Sequence, residues 1–310
     1  MNTEKNLKFM RLSLIVILII GRIEGSNSHL QAQSQPLTLK VGFYDPSIED
    51  SDIMASKETM KLWIDMVKKH SNHKLISEAI IVTEFYKNKN ALISELQSDL
   101  LDFVSITAWD YYDFNLGSKV VPMVTSSLNI NSKYEKYYLV SHKNSNIKSI
   151  QDIAQMEIQI PRTNSIQLIK NWLKAESINK LGKSKASSIK IIETKQNENQ
   201  TLLKIFFNKN GLAVIREGLF QTACEMNSQL KQSITILGES SNFVNYFLAQ
   251  RKGLDPTIHS EIVKESIKLP DTIEGKQILN IMKTEKVFKV TESDFKEVRN
   301  LFNYYNSIPN

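Results

Sequence analysis

Apolar residues alternate with polar ones in short runs, and between those runs they recur at helical spacing. Leu37, Leu39 and Val41 alternate up to Gly42-Phe43-Tyr44-Asp45-Pro46, which predicts a strand that ends in a turn. Met60, Trp63, Ile64 and Val67 then share one helical face, with Ser51 or Asp52 available as the cap. Residues 79–85 predict a second strand, and Leu92, Ile93 and Leu96 a second helix. Residues 103–106 predict a third strand, which delivers the aromatic group Trp109, Tyr111 and Tyr112. Residues 120–124 resume an extended form, and residues 137–140 predict a strand crossing between domains. Residues 150–154 predict one helical turn.

The stretch EIQIPRTNSIQLIKNWL, residues 157–173, carries the strongest local signal. Ile158-Gln159-Ile160 alternates like a strand. Pro161 stops the ladder, because it has no N–H to donate. Thr163, Asn164 and Ser165 are all favoured N-cap types, and Ile166, Ile169, Trp172 and Leu173 follow at helical spacing. A strand that feeds a polar turn and a helix start presents backbone N–H groups and the positive end of the helix dipole, which suits an anion. Arg162 adds a fixed charge. An ordinary capped helix beside a surface arginine is the plainer alternative. The alternation then repeats. Residues 189–192, 211–215 and 234–237 predict strands, and helices are marked by Leu202, Leu203, Phe206 and Phe207 and by Leu219, Phe220, Ala223 and Met226. From Asp255 the pattern is helical to the end, with cap signals at 270–272 and at Thr291 with Asp294.

Strands alternating with helices predict βαβ units, an α/β class and mainly parallel sheets. The 310 residues suffice for two domains, and a charged fraction of 23% beside 41% hydrophobic residues is a globular composition. The net charge of +6 comes from lysines spread along the chain without a basic block, which does not indicate nucleic-acid binding. Lys5, Lys8 and Arg11 precede an apolar run over residues 12–20, too short to span a bilayer comfortably and matching a signal-peptide core. Residues 1–34 are therefore expected to be a signal peptide, cleaved after Ala32-Gln33-Ser34 or near Gly25 or Ser26; an uncleaved anchor is the alternative. No cysteine follows the run, so a lipoprotein anchor is not expected. The single cysteine, Cys224, excludes an intramolecular disulfide and is expected to be buried in a helix beside Ala223 and Met226.

Ligands of open α/β sheets bind at the carboxyl ends of strands. Those ends supply Tyr44 and Asp45, then Trp109, Tyr111 and Tyr112, then Arg162, Thr163, Asn164 and Ser165, then Arg216 with Glu217, and lastly Ser240 and Ser241. Aromatic rings come from the first half and arginines with small polar groups from the second. That division suits a cleft between two lobes closing on a polar or anionic small molecule, which an arginine fork can grip in two places. The plainer alternatives are packing for Tyr44 and for at least one aromatic of the second group, a local ion pair for Arg216 with Glu217, and a simple turn at Ser240. An enzyme finds little support. His70 and His73 lie among lysines at a helix end, and no metal set, nucleophile elbow, P-loop or dinucleotide fingerprint occurs.

The segments SNIKSIQDIAQMEIQIPRTNS, ESSNFVNYFLAQRKGLDPTIHSEIVKESIKLPDTIEGKQIL and VFKVTESDFKEVRNLF, in this order, resemble the phosphate/phosphite/phosphonate substrate-binding proteins of ABC transporters. The shared features are a serine after the last strand, a Leu-Asp-Pro helix start, a Thr-x-Glu-Gly-Lys turn and a Thr-x-x-Asp ending. The resemblance covers residues from about Leu37 to Phe302. It implies a two-lobed type II periplasmic-binding-protein fold, each lobe a doubly wound sheet, with the ligand cleft between them. Residues 37–130 plus 245–310 would form lobe 1 and residues 131–244 lobe 2, joined by hinge strands near Tyr138 and Asn245. It further implies an exported, periplasmic and monomeric protein that captures a small oxyanion for a membrane permease, with no cofactor and no catalysis. A sensory module serving a membrane receptor and an enzyme on the same scaffold are the alternatives. The family's loop of Ser-Thr-Ser-Gly type stands here as Thr163-Asn164-Ser165-Ile166, and its tyrosines match Tyr111 and Tyr44. Its Gly-Pro becomes Thr107-Ala108, its Gly-Ser-His turn Asn197-Glu198-Asn199, and a strand aspartate Leu212. Tyr44, Tyr111 and Ser165 are expected to reach one cavity between the lobes.

Overall fold

Among the described residues, the runs of β-branched and aromatic residues form eleven strands in two sheets, and the segments of helical spacing flank them. The structure is a computed structural model that describes residues 37–71, 74–127, 131–154, 156–163, 165–282 and 284–308. The expected signal peptide, residues 1–34, lies outside the described residues, as does Asn164.

In the first half, β1 (Thr38–Tyr44) leads to α1 (Asp50–His70) and α2 (Lys74–Ser77). Then come β2 (Ile80–Tyr86), α3 (Lys89–Gln97), β3 (Phe103–Thr107), α4 (Ala108–Asp113) and β4 (Val120–Ser127). The N-cap of α1 is Glu49, two to three residues ahead of the expected Ser51 or Asp52; Asp50 and Asp52 instead place negative charge in its first turn, where the helix dipole favours it. β5 (Tyr137–His142) opens the second half, followed by β6 (Glu157–Pro161), α5 (Ile166–Leu181), α6 (Lys183–Ala186), β7 (Lys190–Thr194), α7 (Glu198–Asn208) and β8 (Leu212–Arg216). α8 (Glu217–Met226), α9 (Ser228–Ser233), β9 (Ile234–Glu239) and β10 (Tyr246–Arg251) complete it. The C-terminal part contains α10 (Pro256–Ile267), α11 (Ile273–Ile281), β11 (Lys286–Lys289) and α12 (Lys296–Ser307). The expectation of an all-helical end therefore fails at β11, a four-residue strand whose lysine ends mask its extended pattern.

The six-stranded sheet has the order β11-β4-β10-β3-β1-β2 and the five-stranded sheet the order β7-β6-β8-β5-β9. β1 pairs parallel with β2 and β3, and β6 pairs parallel with β7 and β8. β10 runs antiparallel to β4, and β5 antiparallel to both β8 and β9. This is the mixed, mostly parallel α/β architecture that the alternation implies.

The chain divides into two compact units. One holds the described part of Met1–Ile106 with Leu116–Val124 and Leu248–Lys289; the other holds Thr107–Asn115, Thr125–Phe247 and Val290–Asn310. The second unit thus takes residues 290–310, which the expected lobe boundaries group with the first. The first unit buries Leu39, Val41, Phe43, Phe103, Ile258, Leu279 and their neighbours in one core. The second packs Val140, Ala213 and Ile215 of its sheet against Leu202, Ile205 and Phe220 of α7 and α8. Each such fully buried aliphatic side chain contributes about 1.5–3 kcal/mol. Cys224, expected to be buried, is half-buried against that second core, and burial pushes its thiol pKa up.

Candidate functional site

Within the second unit, the pairing of strands gathers polar side chains at one edge. β6, β8 and β9 end there, and β5 begins there, because Tyr137 lies opposite Arg216 and Tyr138 opposite Glu239. The carboxyl ends of parallel strands are where open α/β sheets place ligands. Ile158 and Ile160 anchor β6 with no exposed surface, Pro161 closes it against Thr194, and the chain turns into α5. Ile169, Trp172 and Leu173 hold the buried face of α5 as the spacing predicts, with Leu168 added.

Ser165 is the N-cap of α5, yet its side chain makes no capping bond to the helix. Its backbone N–H donates to the Thr163 hydroxyl at 3.3 Å, and its own hydroxyl faces the Tyr137 phenol. The first turn of α5 is therefore approached by two small hydroxyl side chains, one buried and one half-buried. Arg162 is half-buried at the end of β6.

Arg216 closes β8, but not as a spare cation. Its Nε donates to Glu198 Oε2 at 2.7 Å, its Nη2 lies 2.5 Å from the same oxygen, and its backbone N–H donates to Glu198 Oε1 at 3.1 Å. Its Nη1 lies 3.6 Å from Glu135 Oε1. Burial pulls the guanidinium pKa down, and the two carboxylates more than offset it, so the group stays charged. The neighbour expected as its partner, Glu217, instead accepts the hydroxyl proton of Tyr138. Two carboxylates against one guanidinium leave the trio with one net negative charge.

Tyr137, fully buried, links this trio to the α5 turn. Its hydroxyl faces Glu135 Oε2 at 3.4 Å and accepts from Asn245 Nδ2 at 2.5 Å. Asn245 Nδ2 also donates to Glu135. Burial and the Glu135 charge hold the phenol protonated, well above its ordinary pKa. An isolated antiparallel bridge between Glu135 and Phe243 brings Glu135 and Asn245 together. Ser240, at the end of β9, accepts the Tyr137 backbone N–H at 2.9 Å and donates to the Ser241 carbonyl at 2.7 Å.

The structure thus brings Thr163, Ser165, Arg216 and Ser240 to one edge of the second unit. Glu135, Tyr137, Glu198 and Asn245 join them there, and the sequence named none of these as a ligand contact. Glu198 carried a signal: Asn197 and Gln200 form a capping box, which places Glu198 in the first turn of a helix. Glu135 and Asn245 carried none, since they arrive through tertiary pairing.

The aromatic residues are packed by their own unit. Trp109 meets Phe302 and Tyr305 edge-on at 5.2 and 5.8 Å between ring centroids. Tyr111, 1% exposed, stands against Tyr112, Phe247 and Phe295, and its hydroxyl is buried without a hydrogen-bond partner. Tyr44 is buried at the end of β1 in the first unit. Among the described residues no group of histidine, cysteine, aspartate and glutamate could hold a metal ion.

The family model described as "ABC transporter, phosphonate, periplasmic substrate-binding protein" matches residues 53–295. The chain belongs to this family. Its fold is similar to that of PhnD1 from Prochlorococcus marinus, solved in complex with methylphosphonate. That match has 14% identity and a TM-score of 0.58, over 88% of this chain and 100% of that one. It is also similar to a binding protein component of an ABC phosphonate transporter from Pseudomonas aeruginosa, with 10% identity and a TM-score of 0.57 over 87% of each chain. No curated protein matches by sequence. The type II periplasmic-binding-protein fold follows, and the family is one of transporter binding proteins rather than enzymes. Such a protein serves a small-molecule ligand and a membrane permease, on the outer side of the cytoplasmic membrane. Among the described residues no helix is long and apolar enough to cross a membrane.

Proposed function

We propose that this protein is an exported solute-binding protein that captures a small phosphorus oxyanion of the phosphate, phosphite or phosphonate type and passes it to the permease of an ABC importer. The observation that carries the reading is the turn from β6 into α5. A 16-residue helix begins at a strand end with Thr163 and Ser165 beside its first turn, in a member of the phosphonate-binding family. Helix starts of this kind favour anions through their N–H groups and dipole. The fold similarity to a methylphosphonate complex supports the same ligand class. Thr163 and Ser165, with Asn164 and Arg162 alongside, are the proposed anion contacts; Arg216 contributes as an orienting charge already shared with two carboxylates.

Thermal-shift screening with methylphosphonate, phosphite and phosphate tests the reading. A ligand at 100 times its Kd adds about 2.7 kcal/mol of stability. One charge-assisted hydrogen bond contributes about 1.5–3 kcal/mol, so Thr163→Ala or Ser165→Ala should weaken binding by about ten- to a hundredfold. The reading fails when none of the three anions shifts the melting temperature, or when both variants bind as tightly as the parent.

A further inference from the structure

The polar edge of the second unit is rich in acceptors. The guanidinium of Arg216 is engaged by Glu198 and faces Glu135. The amide nitrogen of Asn245 is spent on Glu135 and Tyr137. The other end of that amide is the second, independent observation: Asn245 is only 9% exposed, and its Oδ1 is buried with no donor. A buried acceptor of this kind is costly until a donor reaches it. Beside the Glu135 carboxylate, a doubly ionised phosphonate or phosphite, which has no P–OH left, would meet like charge without a donor, whereas its singly ionised form would present a P–OH to an acceptor.

We propose that this cluster selects the oxyacid in its singly ionised form. The ionised oxygens lie on the α5 side with Thr163 and Ser165, and the remaining P–OH donates to Glu135, which Asn245 holds in place. The inference rests on the oxyanion reading above and adds the protonation state of the ligand. Among the described residues, Arg216 from β8, Tyr137 from β5 and Asn245 ahead of β10 face Glu135, and Glu198 from α7 reaches it through Arg216. Lys136, next in sequence, pairs with Glu239 at the end of β9. None of these is a histidine. A break in affinity near neutral pH therefore belongs to the second ionisation of the ligand, which for phosphate monoesters lies at about pH 6.

Calorimetric titration with methylphosphonate, phosphite and phosphate from pH 5 to pH 9 tests the proposal. In the parent protein the Kd of methylphosphonate and of phosphite should rise about tenfold per pH unit above the second pKa of each, where the last P–OH is lost. Titrations in two buffers of different ionisation enthalpy should show uptake of about one proton per ligand in that range. Glu135→Gln should flatten the pH dependence. The buffer comparison needs no variant, so the proposal stays testable if Glu135→Gln fails to fold. A Kd that is constant across the second ionisation without proton uptake overturns the proposal and leaves the oxyanion reading standing. So does a Glu135→Gln variant that keeps the pH dependence of the parent. Failure of all three anions to bind at any pH overturns both.

Discussion

Replacing Arg216 by methionine strips the cation from an ion trio that holds two carboxylates. The side chains of Arg216, Glu135 and Glu198 are 28%, 23% and 14% exposed, so water screens the trio only in part. Removing one partner of a fully buried pair costs about 3–5 kcal/mol, because the remaining charge is left desolvated. Partial exposure of all three groups reduces that, and about 2–3 kcal/mol is the expected loss. With a urea slope of about 1–3 kcal/mol per molar, the unfolding midpoint should fall by about 1 M. Trp109 and Trp172 lie in the second unit and Trp63 in the first, so a Trp63→Phe background makes tryptophan fluorescence report on the unit that carries the cluster. Adding Glu198→Gln to Arg216→Met removes the closest uncompensated charge and should restore more than half of the lost stability, as a double-mutant cycle measures. An unchanged midpoint in Arg216→Met, or strictly additive losses in the pair, would refute the ion trio as a stabilising unit.

Trp109→Ala should cost about 3–5 kcal/mol in chemical denaturation, because it empties the space between Phe302 and Tyr305; a neutral substitution would contradict that packing role. Gly275→Ala should destabilise by about 1–3 kcal/mol or more in a thermal melt, since a Cβ there would stand 1.9 Å from the Leu269 carbonyl oxygen and 2.7 Å from Thr272 Oγ1; a normal melting temperature would be inconsistent with that approach. The pKa of His142 is lowered by burial and by Lys209 and Lys148, and that of His259 by burial and by Lys289. The unfolded chain therefore binds more protons at these sites. Their contribution to stability is complete above the unfolded value of about 6.5 and declines as pH falls through it towards the folded values. His142→Gln with His259→Gln should make stability flatter between pH 7 and pH 5, and a slope equal to that of the parent would count against the assignment.

The elements that could be read from the chain are those whose local pattern and tertiary role agree. β6 and α5 were visible because Ile158, Ile160, Ile169, Trp172 and Leu173 mark a buried strand and then a buried helix face with one proline between them. β11 was not, because two lysines flank Val287-Phe288 and the run is too short to show alternation. β10 begins just after Asn245 and carries Gln250, so its apolar pattern is broken by side chains that are polar and yet buried. Such residues are paired through distant partners: Gln250 Nε2 donates to the carbonyls of Leu254 and Asp255.

The same distinction separates the visible from the hidden part of the site. A residue's position at a strand end is a local property, so Thr163, Ser165, Arg216 and Ser240 could be named. The electrostatic character of the site is not local. Arg216 alone suggests an anion grip, but Glu198 and Glu135 reverse the sign of its surroundings, and both come from other elements of the unit. Asn199 and Leu212 stand where the resemblance led one to expect polar ligand contacts, and Leu212 has become a fully buried part of β8. The polar side chains that meet at this edge include Glu135, Tyr137 and Asn245, whose hydrogen bonds converge without any shared sequence motif. An oxyanion that binds here meets the Glu135 and Glu198 carboxylates as well as Arg216. For that reason the charge state of the ligand, rather than the count of arginines near the helix start, is the property by which this member of the family should discriminate.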